Sequence, residues 1–414
     1  MSDPISKALA EAEKLVATLK NIKTNPTPAE HLALLKQTDN VRAQLEEPYD
    51  TVTRWAESIA VTAALSTLTQ IGAFGKLPME GSISAKDLAA VVNVDVSVIT
   101  RAMRVILVNG IATETAPDEY QQNMLSMVLQ PQALGAFFSL CMDFNRTWVK
   151  LPEYLKTHSP ADLYNSKKSP FAFAAGKEGL TYYEVLNEDE EQRVIWNNTL
   201  QQMEKNMPIL GMFPFATLKE QVEKEPERPF IVDIGSGKGQ AMLAIETECP
   251  KYFGAQVILQ DLPIVIKTLG AEDLPGITPT VHDIFTPQPV KSLYPSPDTG
   301  GKTNLIVDAH VYFLRRLLHD FYIPVCIEIL RNVVPAMGPD SRLIICDMLV
   351  PEKVEVGGSM ELYWLDFSLL TISGREKTLK EFNEMFDEVG LELIKVYPSG
   401  IGSTVMLETR LKKA

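Results

Sequence analysis

The chain has 414 residues, 45% of them hydrophobic, which is enough for at least one large core and excludes general disorder. Its 39 Lys and Arg against 53 Asp and Glu leave a formal charge of −14, which argues against broad nucleic-acid binding. The most apolar stretches, 56–68 and 343–350, are interrupted or fall short of the roughly 20 residues a spanning helix needs, so no membrane partner is expected. The opening MSDPISKALAEAEK has no apolar run of leader type, and the closing RLKKA matches no common targeting address; the expectation is a cytoplasmic protein. Cys141, Cys249, Cys326 and Cys346 are too scattered for a metal cluster, so reduced, buried thiols and no metal site are expected.

In chain order, residues 1–45 read as two helices broken by NPTPAE, and Pro48 ends the second. Such a pair is marginal alone and must pack on its own chain or on a second subunit. WAESIAVTAALSTLTQIGAF is a third helix. SISAKDLAAVV follows with Ser84 as its N-cap, then VSVITRAMRVILVNG, stopped at Gly110. IATETAPDEYQQN reads as a short hairpin, which completes a winged-helix pattern. Its candidate recognition helix offers only Arg101 and Arg104 against Asp95, so a dimerisation role is expected in place of DNA binding. The first domain is set at 1–130.

Residues 131–225 are mainly helical and rich in aromatics and Met, a region suited to a flat apolar substrate; Phe144, Trp148, Met203 and Met207 are candidate pocket residues. KEQVEKEPERP reads as a linker. From 226 to 414 strand and helix alternate. PFIVDIG, AQVILQDL, TNLIVDAHV and SRLIICDMLV are strands; GQAMLAIETE, FYIPVCIEILRNVV and KTLKEFNEMFDEVG are helices; LELIKVYP and STVMLETRL close as a hairpin. The fold class is therefore α/β, a largely parallel sheet covered on both faces with an antiparallel edge. KSLYPSPDTGGK at 291–302 is a surface loop.

The motif that points to a ligand is I-V-D-I-G-S-G-K-G-Q at 231–240. Gly235, Gly237 and Gly239 follow an apolar strand that carries Asp233, and glycines there allow positive φ and close backbone approach. Asp261 ends the next strand, where it can accept hydrogen bonds from ribose hydroxyls. Asp283 and Ile284, just past a third short strand, are suited to an adenine amine and ring. A dinucleotide fingerprint would need glycine at 240, and Gln240 stands there. The GxGxG spacing suits a nucleoside that carries an amino acid, S-adenosyl-L-methionine (SAM).

With DIGSGKG, LQDLP, HDIF, YFLRRLLHDF, ICDMLVPE and SGREKT as landmarks, residues 55–410 resemble the class I SAM-dependent O-methyltransferases of the caffeate/acetylserotonin type, especially their fungal secondary-metabolism branch. The resemblance implies a Rossmann-like domain with a mostly parallel seven-stranded sheet, preceded by a winged-helix dimerisation domain in a homodimer. It implies that Asp233, Gly235 and Asp261 hold the methionine and ribose parts, and Asp283 with Ile284 the adenine. It also implies that His319 is the general base, flanked by Asp347 and Glu376, with a phenolic or polyketide-like small molecule as substrate.

A histidine suits that task because a phenol is a weak nucleophile until its proton leaves, and imidazole can accept the proton near neutral pH. Three departures stand out. His-Asp-Trp-x-Asp is His319-Asp320-Phe321-Tyr322-Ile323 here, the first flanking acid is Asp347 where plant relatives often have Glu, and the 291–302 loop is inserted. Some fungal proteins of this resemblance catalyse dehydration or pericyclic cyclisation (Diels–Alder, hetero-Diels–Alder or Alder-ene type) without net methyl transfer, and that alternative stays open.

Overall fold

In the computed structural model the described residues are 4–22, 25–203, 207–270, 274–291, 308–400 and 402–413. They fall into two compact units, Met1–Thr157 with Phe171–Lys205, and His158–Pro170 with Asn206–Ala414.

The first unit begins with the helices Pro4–Asn21 and Pro28–Leu45, which pack along each other. Pro28 sits in the first turn, where its missing N–H costs nothing, and Thr27 and Glu30 close a reciprocal capping box. A new helix, Pro48–Gln70, starts at the proline that ends the pair. Ser84 caps Ala85–Val92 by accepting from Asp87 N–H at 3.0 Å, and Val96–Leu107 follows. Strands β1 (Ile83–Ser84), β2 (Thr113–Ala116) and β3 (Glu119–Gln121) form the wing, in the order β1-β3-β2. Leu68, Phe74, Leu88, Ile99, Met103, Ile106 and Tyr120 bury its core. Farther along the unit, Phe144 stacks on Trp148 at 6.5 Å and lies near Tyr182, which meets Trp196 edge-on.

The second unit is built on β4 (Ile231–Ile234), β5 (Val257–Asp261), β6 (Ile277–Val281), β7 (Val311–Arg315), β8 (Arg342–Val350), β9 (Lys377–Thr378), β10 (Leu391–Pro398) and β11 (Thr404–Leu411). Their order is β10-β11-β8-β7-β4-β5-β6, with β9 paired to β8. The pairs β8–β7–β4–β5–β6 are parallel, and β10–β11–β8 are antiparallel. Strand alternation sends Val232, Ile234, Leu343 and Ile345 into one core and Ile231, Val257, Leu259 and Ile344 into the other. A sheet covered on both faces accounts for the near-continuous apolar runs of its central strands. The chain order reverses at β4 and β7, the switch point where open parallel sheets leave a crevice at their carboxyl ends.

Three local findings add to the sequence expectation. Of the strand expected on TNLIVDAHV, 303–307 lie outside the described residues, as does most of the 291–302 loop, and its last residue opens the strand Val311–Arg315. The VYFL run, buried on both faces, is the stretch that pairs with β4 and β8. Within the expected linker, Lys219–Lys224 is a helix held by buried Val222. Met360–Leu370 is also a helix, apolar on nearly every side and therefore without an amphipathic stripe to announce it.

Candidate active site

The glycine loop leaves β4 at the switch point. Gly235, Gly237 and Gly239 have φ of +69°, +58° and +79°, a region that residues with a Cβ rarely adopt. Their surroundings separate their roles. A Cβ on Gly235 would come within 2.8 Å of Leu317, and one on Gly239 within 2.7 Å of Leu259, so both are needed for packing. A Cβ on Gly237 would meet nothing within 4 Å. The Gly237 N–H donates to Asp261 Oδ2 at 2.8 Å, while Leu262 N–H donates to Asp261 Oδ1 at 2.7 Å. Asp261 thus braces the loop as well as standing at the tip of β5.

Asp233 is buried beneath this loop, and its Oδ2 has no hydrogen-bond partner among the described residues. Burial, reinforced by Asp261 and opposed by Arg315, pushes its carboxyl up to about 7. An orphaned carboxylate under a glycine loop fits a ligand ammonium, and the open side of Gly237 gives such a ligand room. At the next strand, His282 N–H donates to Asp261 O at 3.0 Å, which places Asp283 beside the same edge of the sheet. Asp283 is exposed, and its Oδ1 accepts from Phe285 N–H at 3.0 Å; Ile284 packs against the core.

The second half of the site forms where β7 and β8 end. His319 sits in the short turn Leu318–Asp320, and its Nδ1 lies 2.9 Å from Glu376 Oε1. Both are buried. Asp320 Oδ1 approaches Nε2 at 3.5 Å. Burial opposes the imidazolium, but Glu376, by charge and hydrogen bond, with help from Asp320 and Asp347, overrides it and holds the His319 pKa above its ordinary value. Asp347 lies on β8, and its Oδ1 lacks a partner among the described residues. Burial, with Glu376 adding to it, pushes its carboxyl up to about 7 against the pull of His319, Lys377 and Arg316. Glu376 reaches His319 because β9 pairs with β8, Leu349 opposite Lys377, and because Glu376 N–H donates to Asp366 Oδ1 at 2.8 Å.

A small cavity opens among Met207, Arg315, Arg316, His319, Asp347, Met348, Leu365, Glu376 and neighbours. It brings together His319, Asp347, Glu376 and Met207 of the expected set. Phe144 and Trp148 belong to the first unit, and the side chain of Met203 lies outside the described residues.

Three residues that sequence reasoning missed complete the site. Arg315 Nη2 donates to Met207 O at 3.2 Å, and its charge acts on Asp233. Buried Lys377 donates to the carbonyls of Leu318, Phe321 and Arg375 at 2.8, 3.0 and 2.7 Å, which pins the His319 turn from below. Arg316 has a φ of +51° and turns into the cavity. The available signal was an Arg-Arg pair three residues before His319 in an otherwise acidic chain.

An O-methyltransferase domain model matches residues 298–392. The O-methyltransferase hmp5 of Hypomyces subiculosus is 37% identical over the full length of both chains, and the O-methyltransferase afvC of Aspergillus flavus is 30% identical over 88% of this chain and 84% of its own. Among solved structures, OxaC in complex with SAH and oxaline superposes with a TM-score of 0.81 at 25% identity, covering 99% of this chain and 100% of that one. LepI in complex with SAM superposes with a TM-score of 0.78 at 24% identity, covering 98% and 100%, and shares the fold. Among the described residues no helix is long and apolar enough to cross a membrane. With 37% identity over its full length to a fungal O-methyltransferase, a glycine loop at the sheet's switch point and a buried histidine–carboxylate pair where β7 and β8 end, the chain belongs to the O-methyltransferase family.

Proposed function

We propose that this chain is a SAM-dependent O-methyltransferase that methylates a hydroxyl of an aromatic or polyketide-like small molecule, with His319 as general base. The observation that carries the reading is the buried His319–Glu376 pair at 2.9 Å, opening onto the cavity where β7 and β8 end. SAM, when bound, supplies a methyl group already activated by the sulfonium charge. Asp233, Gly235, Gly237 and Asp261 are the residues proposed to hold its methionine and ribose parts, and Asp283 with Ile284 its adenine.

The chain's own work is alignment and proton removal. Glu376 at Nδ1 fixes the ring and favours the tautomer whose Nε2 is free to accept the acceptor's hydroxyl proton. The imidazolium so formed is stabilised by Glu376 and by Asp320. Asp347, inclined to be neutral near pH 7, adds a carboxyl that can donate to an acceptor oxygen. Incubation with methyl-labelled SAM and a panel of phenols and hydroxylated polyketides tests the reading; one S-adenosylhomocysteine (SAH) per methylated product is expected.

A second reading, pericyclisation or dehydration without methyl transfer, draws support from the TM-score of 0.78 to a structure titled "A Pericyclic Reaction enzyme". A cationic His319 beside Arg316 would polarise a carbonyl in that chemistry. Product formation with no SAH would favour it.

The assembly proposed for both readings is a homodimer through residues 1–130. Leu9, Val16, Leu19, Leu32, Leu35, Trp55 and Ile59 are all exposed on the first three helices, an apolar surface that a second copy would cover.

A further inference from the structure

Among the described residues, each cation around the cavity has a protein partner except one. Arg315 donates to the Met207 carbonyl, Lys377 to three carbonyls, and Arg375 pairs with Glu381. Among the described residues nothing hydrogen-bonds or ion-pairs with the Arg316 guanidinium, although it lines the same cavity as His319 and Asp347. The neighbouring carboxylates act on its charge from a distance while engaged elsewhere: Glu376 and Asp320 are both turned to His319.

The backbone accounts for this placement. The Arg316 N–H donates to Cys346 O at 3.0 Å, which extends the β7–β8 pairing by one residue, and the residue then takes a φ of +51°. An arginine in the left-handed region is strained, and such strain persists where the surrounding structure holds it. Here the turn sets the Arg316 side chain in the lining of the cavity, with its guanidinium donors uncommitted among the described residues. Guanidinium donors in that setting favour an oxygen anion, which they bind through charge-assisted hydrogen bonds.

We infer that Arg316 is a substrate-specificity residue, binding an anionic oxygen of the acceptor and thereby selecting acidic oxygen acids, such as enolised 1,3-dicarbonyls, over neutral phenols. The inference rests on the methyltransferase reading only for the word acceptor; the anion site follows from Arg316 and its surroundings. Burial and the adjacent Arg315 lower its pKa from the ordinary arginine value, with Glu376, Asp320 and Asp347 offsetting only part of the shift, so a directly bound anion would relieve an unfavourable charge.

The test compares two probes of similar size at pH 7.5: 4-hydroxy-6-methyl-2-pyrone, an enol acid that is ionised there, and 3,5-dihydroxytoluene, which is neutral. Dissociation constants are measured by calorimetry for the full chain, with and without saturating SAH. Wild type should prefer the pyrone by about tenfold or more, the scale of one charge-assisted contact. Arg316→Gln should bring the ratio close to one, and Arg316→Lys should keep much of it, while SAH affinity stays within about twofold. The neutral 4-methoxy counterpart of the pyrone should also lose about tenfold on wild type, a check that needs no variant. Equal binding of the two probes by wild type, or a preference that survives Arg316→Gln, overturns the inference. So does a loss confined to SAH affinity, which would assign Arg316 to the cofactor. If wild type binds no SAH, the methyltransferase reading fails, and the SAH-free comparison still decides Arg316.

Discussion

His319 Nδ1 and Glu376 Oε1 lie 2.9 Å apart in a buried site, 57 residues apart in sequence, and Asp320 waits 3.5 Å from the other ring nitrogen. The carboxylates hold the imidazole pKa above its ordinary value despite burial. A base must be neutral to accept a proton, so the rate should rise with pH through that raised pKa and then level. The expected kcat/KM profile for a phenolic acceptor has its ascending midpoint above 6.5. His319→Ala should keep SAH affinity and lose on the order of 10²–10⁴-fold in methyl transfer. A variant with near wild-type turnover would remove His319 from the chemistry.

Glu376→Gln isolates the carboxylate's part. With the charge gone, burial dominates and the His319 pKa falls, so the ascending limb should move to lower pH as kcat drops. Conservation of the wild-type midpoint in the Gln variant would show that the 2.9 Å contact does not set the pKa.

The glycines offer a contrast between ligand space and packing space. Gly237→Ala places its Cβ in the open, so the fold should survive with a cost of roughly 1 kcal/mol from its positive φ, while SAH affinity falls sharply. Gly239→Ala drives its Cβ toward Leu259 and Leu274, at 2.7 and 2.8 Å, and should instead lower the melting temperature. Melting curves and SAH calorimetry on both variants would separate the two effects. Equal SAH affinity in folded Gly237→Ala would move the ligand away from this loop.

What could be read from sequence follows from how local each signal is. Asp233, the three glycines and Asp261 announce themselves because each stands at the end of an apolar run, and strand ends converge in a parallel sheet. Asp347 and Glu376 were expected by resemblance, since no periodicity joins residue 319 to 376. Their meeting depends on β9, a strand of two residues, too short to carry an alternation. Lys377 reads as one more surface lysine until that pairing buries it. Arg316 is similar, because its placement follows from a backbone φ that no neighbouring glycine foretells. Of the stretch expected as a strand, Val311 opens the VYFL run, which has partners on both sides.

Lys377→Met tests the support under the base. Its ammonium satisfies three carbonyls of the segments that frame His319, and the thioether would leave them buried without a donor. A stability loss of about 3 kcal/mol is expected, together with a fall in kcat that exceeds any change in SAH affinity. Denaturant melts and SAH calorimetry on the same preparation would check it, and unchanged stability would show that these carbonyls find other donors.

Asp233 gives a signature that needs no substrate. Its carboxyl is pushed up to about 7, so near pH 6.5 the free protein holds it largely protonated. An ammonium brought beside it by the ligand's methionine moiety favours the carboxylate, and the proton must leave. SAH binding at pH 6.5 should therefore release a sizeable fraction of a proton, read from calorimetry in buffers of different ionisation enthalpy. The release should fade as pH rises through 7 to 8, because the free carboxyl is then already ionised. Burial also pushes the Asp347 carboxyl up, so Asp233→Asn is the necessary control: it should abolish the release and weaken SAH binding. Release that persists in Asp233→Asn would assign the proton to Asp347 and take the ligand ammonium away from the glycine loop.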